Sequence, residues 1–415
     1  MIPAADRQIL RDVARRVKEA AALPIQDERR RLWKQHNSLQ PCRPLMLVFP
    51  EGSSGELLQA NALECTDAAA RNLEWQLRFR LYHQEHFAAD TVIEADWVVE
   101  KVVRDTGWGL EAQHDAAPEG SRGAWHFHPV LTSPADLKKL RFPDLTYDEA
   151  ATMKHLAGAQ ELFGDILEVR LRGRAHISYH LMNHFTGLHG LEETMLDMCD
   201  NPGFLHEAMA FLVAGHQRCL QQMIAQNLLE LNNDGCYQNS GGVGYTDEIP
   251  RPGYDPRHIK PADMWASAEA QELTLVSPEM HKEFALDYEA RLLEPFALKG
   301  YGCCDDLGPK LDDVLAIPGM RRISIAPAAN VDLCARKLAN RRAIFSWKPQ
   351  PSHLVGRFDE QLIRGYVRHT LEVCRAHDCA LEMILKDTHT CEFHPERFDR
   401  WTQIAREEIE RSVAG

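Results

Sequence analysis

Two short segments of this 415-residue chain carry side chains of the kind that bind metal ions or attack carbon. One reads Tyr301-Gly302-Cys303-Cys304-Asp305-Asp306, the other Lys386-Asp387-Thr388-His389-Thr390-Cys391. Adjacent cysteines do not easily close a disulfide on each other, so Cys303 and Cys304 read as thiols with diverging side chains. In His-x-Cys an imidazole and a thiol fall on one side of an extended segment, because side chains alternate. Thiolates with imidazole form a zinc-type donor set. Cys303, Cys304, His389 and Cys391 are therefore the candidate metal ligands, with three of them expected around one ion. The plainer alternative is buried thiols and a polar histidine.

Two further segments carry polar groups that need a reason to be there. Asn232-Asn233-Asp234-Gly235 follows an apolar run, and buried amides and carboxylates are costly unless bonded to a ligand or to loop backbone. An Asx turn ended by Gly235 is the competing explanation. In Trp265-Ala266-Ser267-Ala268-Glu269-Ala270-Gln271-Glu272, Glu269 and Gln271 share a face if the segment is extended. Asp234 and Glu269 are the candidate proton carriers. Asn232, Asn233, Gln271, Tyr301 and Lys348 are the candidate substrate contacts. Glu272 reads as a solvent-facing carboxylate. His126, His128 and the histidines from His176 to His189 are lesser candidates, since 20 histidines cluster somewhere by chance.

The elements that must position these residues alternate along the chain. Short apolar runs predict strands at Leu45–Phe49, Val92–Val99, Ile166–Leu171, Leu228–Leu231, Leu298–Tyr301, Arg322–Ile325, Ala343–Phe345 and Leu381–Leu385. Between them the pattern predicts helices, including Ala68–Phe87, Tyr147–Leu162, Pro202–Gln226, Pro278–Phe296, Phe358–Ala376 and Pro395–Ser412. Three of these open on Ser277-Pro278, Asn201-Pro202 and His394-Pro395, and proline suits a first helical position. Eight strands alternating with helices imply a parallel sheet closed into a (β/α)8 TIM barrel. An open doubly wound sheet competes, but no Gly-rich turn follows the first strand. Residues 1–40 read as a helical extension, 41–415 as the barrel, and Asp105–Pro143 as an insertion. The polar stretches Asp115–Gly123 and Gly241–Pro261 read as loops. In a barrel, reactive groups follow the strands' C-terminal ends, where both cysteine-bearing segments fall.

With 44% hydrophobic and 26% charged residues, the composition is that of a soluble globular protein with a large core. A net charge of -14 argues against nucleic acid as partner. No apolar run is long enough for a membrane helix. The charged start lacks a signal peptide's apolar region, so a cytoplasmic protein is expected. The eleven cysteines are then thiols rather than disulfides.

The run from Gln271 through Tyr301-Gly302-Cys303-Cys304-Asp305, Arg322-Ile323-Ser324-Ile325 and Ser346-Trp347-Lys348-Pro349 to Leu385-Lys386-Asp387-Thr388-His389-Thr390-Cys391 resembles a bacterial branch of the uroporphyrinogen-decarboxylase-like superfamily. The branch commonly has Tyr-Gly-Cys-Cys-Glu-Pro where this chain has Tyr-Gly-Cys-Cys-Asp-Asp. The resemblance implies a TIM barrel and one of two activities. One is decarboxylation without a cofactor. The other is zinc-dependent methyl transfer between a small methylated substrate, a corrinoid carried on a partner protein, and a thiol. Decarboxylases of the superfamily grip substrate carboxylates with an arginine-rich N-terminal segment, and Arg43 is the one basic residue between Leu39 and Glu56. Methyl transfer is therefore expected, with zinc on the thiols, a docked corrinoid protein and a homodimer. The other readings are a metal-free lyase or decarboxylase and a non-catalytic barrel that binds a corrinoid or tetrapyrrole.

Overall fold

A computed structural model describes residues 2–115, 126–341 and 343–414. The chain opens with two helices, α1 (Ala4–Ala21) and α2 (Pro24–Asn37). Strand β1 (Leu45–Val48) is buried along its whole length. Helix α3 (Ala68–His86) follows, N-capped by Asp67, whose carboxylate accepts from the Ala69 and Ala70 amides. The next strands are β2 (Asp96–Glu100), β3 (Glu168–Arg172) and β4 (Ser178–Tyr179). They are followed by β5 (Trp265–Ala268), β6 (Leu298–Tyr301), β7 (Met320–Ile325), β8 (Ile344–Trp347) and β9 (Ala380–Leu385).

Seven of these strands form one parallel sheet in the order β1-β9-β8-β7-β6-β5-β4. β2 and β3 pair in parallel beside it. With helices between the strands, this is an α/β fold of TIM-barrel-like form. At the seam between β1 and β2, the Asp90 amide bonds to the Met46 carbonyl at 2.8 Å. The insertion is a ribbon. Val103–Asp105 pairs with Leu145–Tyr147, and Gln113–Asp115 with His126–His128. Of the polar stretch expected at Asp115–Gly123, residues 116–123 lie outside the described residues, as do Trp125 and the His126 side chain.

One strand prediction is corrected. Leu228–Leu231 makes a single bridge, Leu229 to Arg174, and the strand paired between β4 and β6 is Trp265–Ala268. The strand Trp265–Ala268 is held by a side chain. Asn232 Nδ2 donates to the Ala175 and Trp265 carbonyls at 2.7 and 3.0 Å, and its Oδ1 accepts from the Trp265 amide at 2.9 Å. A buried amide side chain thus replaces the ladder that a full strand would have made. The predicted helices appear within a few residues of their expected ends, and Ser277 caps the Pro278 helix through the Met280 amide. That helix passes through a π turn at Lys282–Leu286 before resuming at Asp287.

The interior contains charge. All six residues of β7 are buried, Arg321 and Arg322 included. Arg322 Nε lies 2.9 Å from Glu382 Oε1 on β9, and both side chains are fully removed from water. Arg322 Nη2 also donates to Asn37 Oδ1 and the Val243 carbonyl, and its guanidinium lies over the Trp265 ring. Breaking one side of such a pair leaves a charge stranded in low dielectric. Glu382→Gln should therefore cost about 3–5 kcal/mol in urea unfolding, and Glu382→Leu with Arg322→Met should recover most of it. A double variant as damaged as the single one would contradict this account.

Candidate active site

The sheet sends its strand ends to one mouth. His180 follows β4, Glu269 follows β5, Cys303 and Cys304 follow β6, and Lys386 and Asp387 follow β9. Glycine sets the thiol turn. Gly302 has φ +90°, and a Cβ there would lie 2.4 Å from Leu307 Cδ1. The Cys303 backbone is held at both ends, its amide by Asp305 at 3.2 Å and its carbonyl by the Ser324 hydroxyl at 2.8 Å.

The two sulfurs lie 3.6 Å apart. Ser240 donates to Cys303 Sγ at 3.4 Å, and Cys304 Sγ faces Asp387 Oδ2 at 3.6 Å. The bond from Cys304 pushes the Cys303 thiol down to about 7, with Ser240 and the Lys386 charge acting the same way against burial and Glu269. The same bond drives Cys304 upward, so one sulfur is the thiolate and the other its donor. Burial works against the Lys386 charge, yet Tyr237, Asp387, Cys303 and Glu51 outweigh it and keep the ammonium protonated.

Across the mouth, His180 Nδ1 makes a short contact with Glu269 Oε1. That bond raises the imidazole's pKa, with Cys303 and Glu272 adding to it. The other Glu269 oxygen accepts from the Gln271 amide at 2.9 Å. Glu269 is thus buried but fully engaged, and Gln271 orients it through backbone. Glu272, expected in solvent, accepts from Asn183 at 2.9 Å and is raised by burial beside Glu269.

The Lys-Asp-Thr-His-Thr-Cys segment is a clasp. Glu51 Oε2 accepts from the Asp387 amide at 2.7 Å, and Thr388 donates to the Pro50 carbonyl at 2.6 Å. Glu56 Oε2 accepts from the Cys391 and Phe393 amides at 2.8 and 3.1 Å and from Cys391 Sγ at 3.2 Å. Cys391 is fully buried, and burial with Glu56 raises its thiol to about 11. His389 is exposed on this loop. Among the described residues, no group of three or more His, Cys, Asp or Glu side chains is arranged to hold a metal ion. The expected site, three of Cys303, Cys304, His389 and Cys391 around one ion, is therefore not assembled among the described residues. Cys303 and Cys304 come together, while Cys391 is committed to Glu56.

Several expected substrate contacts prove structural. The Tyr301 hydroxyl is buried 2.6 Å from Glu289 and 3.0 Å from His281. Burial raises Glu289 to about 8. Asn232 secures strand β5, and Asn233 donates to the Thr246 and Ile249 carbonyls. Asp234 makes the Asx turn, accepting from the Cys236 amide at 3.0 Å, and pairs with Arg172 at 2.9 Å. Lys348 is buried under the mouth, donating to Ser346 Oγ at 2.7 Å, and burial lowers it to about 7. Lys386 carries no role in the sequence reading, and His180 ranks there only among the lesser candidates from His176 to His189. With twenty histidines in the chain, its place after Ser178-Tyr179 does not single it out.

No family model matches the sequence, and no curated protein matches it. Among solved structures, the chain is similar to a methyltransferase from Methanosarcina mazei. The TM-score is 0.51 at 12% identity, covering 91% of this chain and 97% of that one. At that identity the likeness is one of fold. No helix among the described residues is long and apolar enough to cross a membrane.

The thiol pair makes a direct prediction. Alkylation of Cys303 by iodoacetamide, followed by mass spectrometry, should rise with pH through a midpoint near 7. Cys304→Ala should move that midpoint upward and leave only a few per cent thiolate at neutral pH. A midpoint that stays in place would show that Cys304 does not set it.

Proposed function

We propose that this chain is a methyltransferase whose reaction is run at the Cys303–Cys304 pair on a closed barrel. The observation that carries the reading is a thiol lowered to about 7, with a second thiol 3.6 Å away, at the mouth of a barrel-like sheet. Its fold likeness to a methyltransferase agrees with this.

Zinc belongs to the proposal through these two sulfurs rather than through three of the four candidate donors. Thiolates at roughly 2.3 Å from a tetrahedral ion lie about 3.8 Å apart, close to the spacing here. Such an ion would supply thiolate at neutral pH or Lewis acidity toward a leaving heteroatom. The chain's own contribution is an acid. With Nδ1 held by Glu269, His180 keeps Nε2 to meet a substrate. Its imidazolium can protonate the departing oxygen or nitrogen of a methyl donor, and the adjacent carboxylate stabilises that charge. A corrinoid on a partner protein, docked over the strand-end loops, is the proposed methyl carrier.

Charge favours this reading over decarboxylation of a polyacid. Glu51, Glu269, Glu272 and Asp387 face Lys386 and His180 at the mouth. Lys348, the cation expected there, is buried. This balance suits a neutral or cationic methyl donor and repels a polycarboxylate.

The test is methylation of cob(I)alamin by a panel of methyl ethers and methylamines, followed by its visible spectrum, alongside metal analysis. About one zinc per chain is expected, lost in Cys303→Ser and retained in Cys391→Ala. Cys303→Ser should lose at least about a hundredfold in rate, and Glu269→Gln about ten- to a hundredfold. In Glu269→Gln the alkaline limb should move to lower pH, because His180 then loses its proton earlier. An active protein without metal would remove zinc from the proposal. Full activity in Cys303→Ser would remove the thiol pair as the centre.

A further inference from the structure

We propose a second ligand site at the seam between β1 and β2, shaped and charged for a small aromatic carboxylate. The seam encloses a cavity of about 520 Å³ between α3 and the inner faces of β2 and β3. That is within the usual range for small-molecule sites. Alternation sorts the strand residues. Trp97, Val99, Val169 and Leu171 pack into the core shared with α1 and α3. Asp96, Val98, Arg170 and Arg172 therefore point the other way, into the cavity.

The wall opposite is aromatic. Trp75, Phe79 and His83 recur every four residues along α3 and line the cavity together. The Trp75 and Phe79 rings are stacked at 4.5 Å and 13°. A flat, apolar ring can lie between this ladder and Val92 and Val98.

Three guanidiniums, Arg80, Arg170 and Arg172, line the cavity with three carboxylates, Glu94, Asp96 and Asp234. Glu94 is matched from outside by both arms of Arg30 at 3.0 and 2.8 Å and by the Tyr245 hydroxyl, so it draws little on the three guanidiniums. Glu230 faces Arg172 as well. Arg170 is the loosest held, 41% exposed and 3.4 and 3.8 Å from Asp96 and Asp234. A carboxylate reaching Arg170 and Arg172 would replace these long contacts with short charge-assisted bonds.

Three polar atoms in the cavity wall are also buried without a partner: Arg172 Nε, His83 Nδ1 and Thr91 Oγ1. Buried polar atoms normally find one. Burial holds His83 neutral, with its pKa down at about 4, so the ring offers a neutral hydrogen-bonding nitrogen. Arg172 Nε supplies a further donor to the acid. Thr91 and His83 can serve a ring substituent such as a hydroxyl.

A smaller cavity shares His83, Thr91, Val92, Gly235 and Tyr245 with this one and extends to Phe49 and Tyr237. Tyr237 is within electrostatic reach of Cys303 and Lys386. The site thus adjoins the thiol mouth but is formed by different residues, and it does not depend on the methyl-transfer reading.

The experiment is calorimetric titration of the full chain with benzoate, and with benzamide as its uncharged isostere. Benzoate should bind with one site per chain, and benzamide at least about tenfold more weakly, since the charge-assisted bonds are lost. Arg170→Gln should weaken benzoate about tenfold or more, and Phe79→Ala should weaken both probes, with folding of each variant checked by circular dichroism. Cys303→Ser should bind as the natural chain does, which keeps this test apart from failure of the thiol centre. No heat from benzoate at millimolar concentration, equal binding of the two probes, or binding indifferent to both Arg170→Gln and Phe79→Ala would each overturn the proposal.

Discussion

Charge held inside a barrel-like sheet has to be matched there, and in this chain the matching starts at Arg322 and Glu382. Their side chains join β7 to β9 with no water to share the cost. Around them gather His36 and Asn37 at the end of α2, Ser346 on β8, Lys348 after it, and the Val243 carbonyl. Burial would by itself raise Glu382. The positive groups facing it, Arg322 first and then His36 and Lys348, outweigh that and keep the carboxylate ionised. The N-terminal helices are thereby tied to the middle of the sheet, because Asn37 reaches both Arg322 and the 243–245 loop. A purely apolar filling would be as stable or more so. What the charged filling adds is position: Arg322 reaches Glu382, Asn37 and the Val243 carbonyl at once, so strand register and loop placement are fixed together.

The mouth inherits that order. The Lys348 ammonium lies over the same network and within electrostatic reach of Lys386 and Cys303. Lys386 faces Ser240, Asp387 and Glu51, and its retained charge helps hold the Cys303 thiolate. The loop bearing Lys386 and Asp387 is in turn clasped by Glu51 and Glu56. Asp387, Glu392 and Phe393 all have positive φ, a conformation that non-glycine residues adopt only when the surroundings enforce it. The clasp is that enforcement. Glu56 alone accepts two amides and a thiol, which explains how an unfavourable backbone persists beside the reactive pair.

Much of this was legible from residue pattern. Alternating apolar runs and helical periods gave the parallel α/β sheet, and the rule that reactive groups follow strand ends placed Cys303 and Cys304 at the mouth, while Glu269 stood out only by its alternation with Gln271. The misses have physical causes. Trp265–Ala268 is four residues of tryptophan, alanine and serine, without the β-branched run that marks a strand, and it is strand only because both neighbours pair with it. Leu228–Leu231 has the composition of a strand, but Asn232 ends it early. His-x-Cys is equally a zinc motif and a capped loop, and only the distant Glu56, 335 residues earlier, decides between them. Tyr301 and Lys348 were placed near strand ends correctly, yet alternation alone does not say which face is open.

The thiol mouth and the seam cavity lie near one another but are built from different residues, and their charge follows from which partners each group has. At the mouth, carboxylates outnumber cations because Glu269 is fixed by His180 and Gln271, while Lys348 is withdrawn below. In the seam, three guanidiniums stand beside three carboxylates, but Glu94 is claimed from outside by Arg30 and Arg170 is left loosely held. Neither balance is visible in a net charge of -14. On the proposed reading, a thiolate centre surrounded by acids would take a substrate that brings little negative charge, since like charges crowded in low dielectric raise each other's protonation. An anion entering the chain would instead be drawn to the arginines of the seam. Local pairing, residue by residue, thus decides what charge each site presents, in a way that the net charge of the chain does not convey.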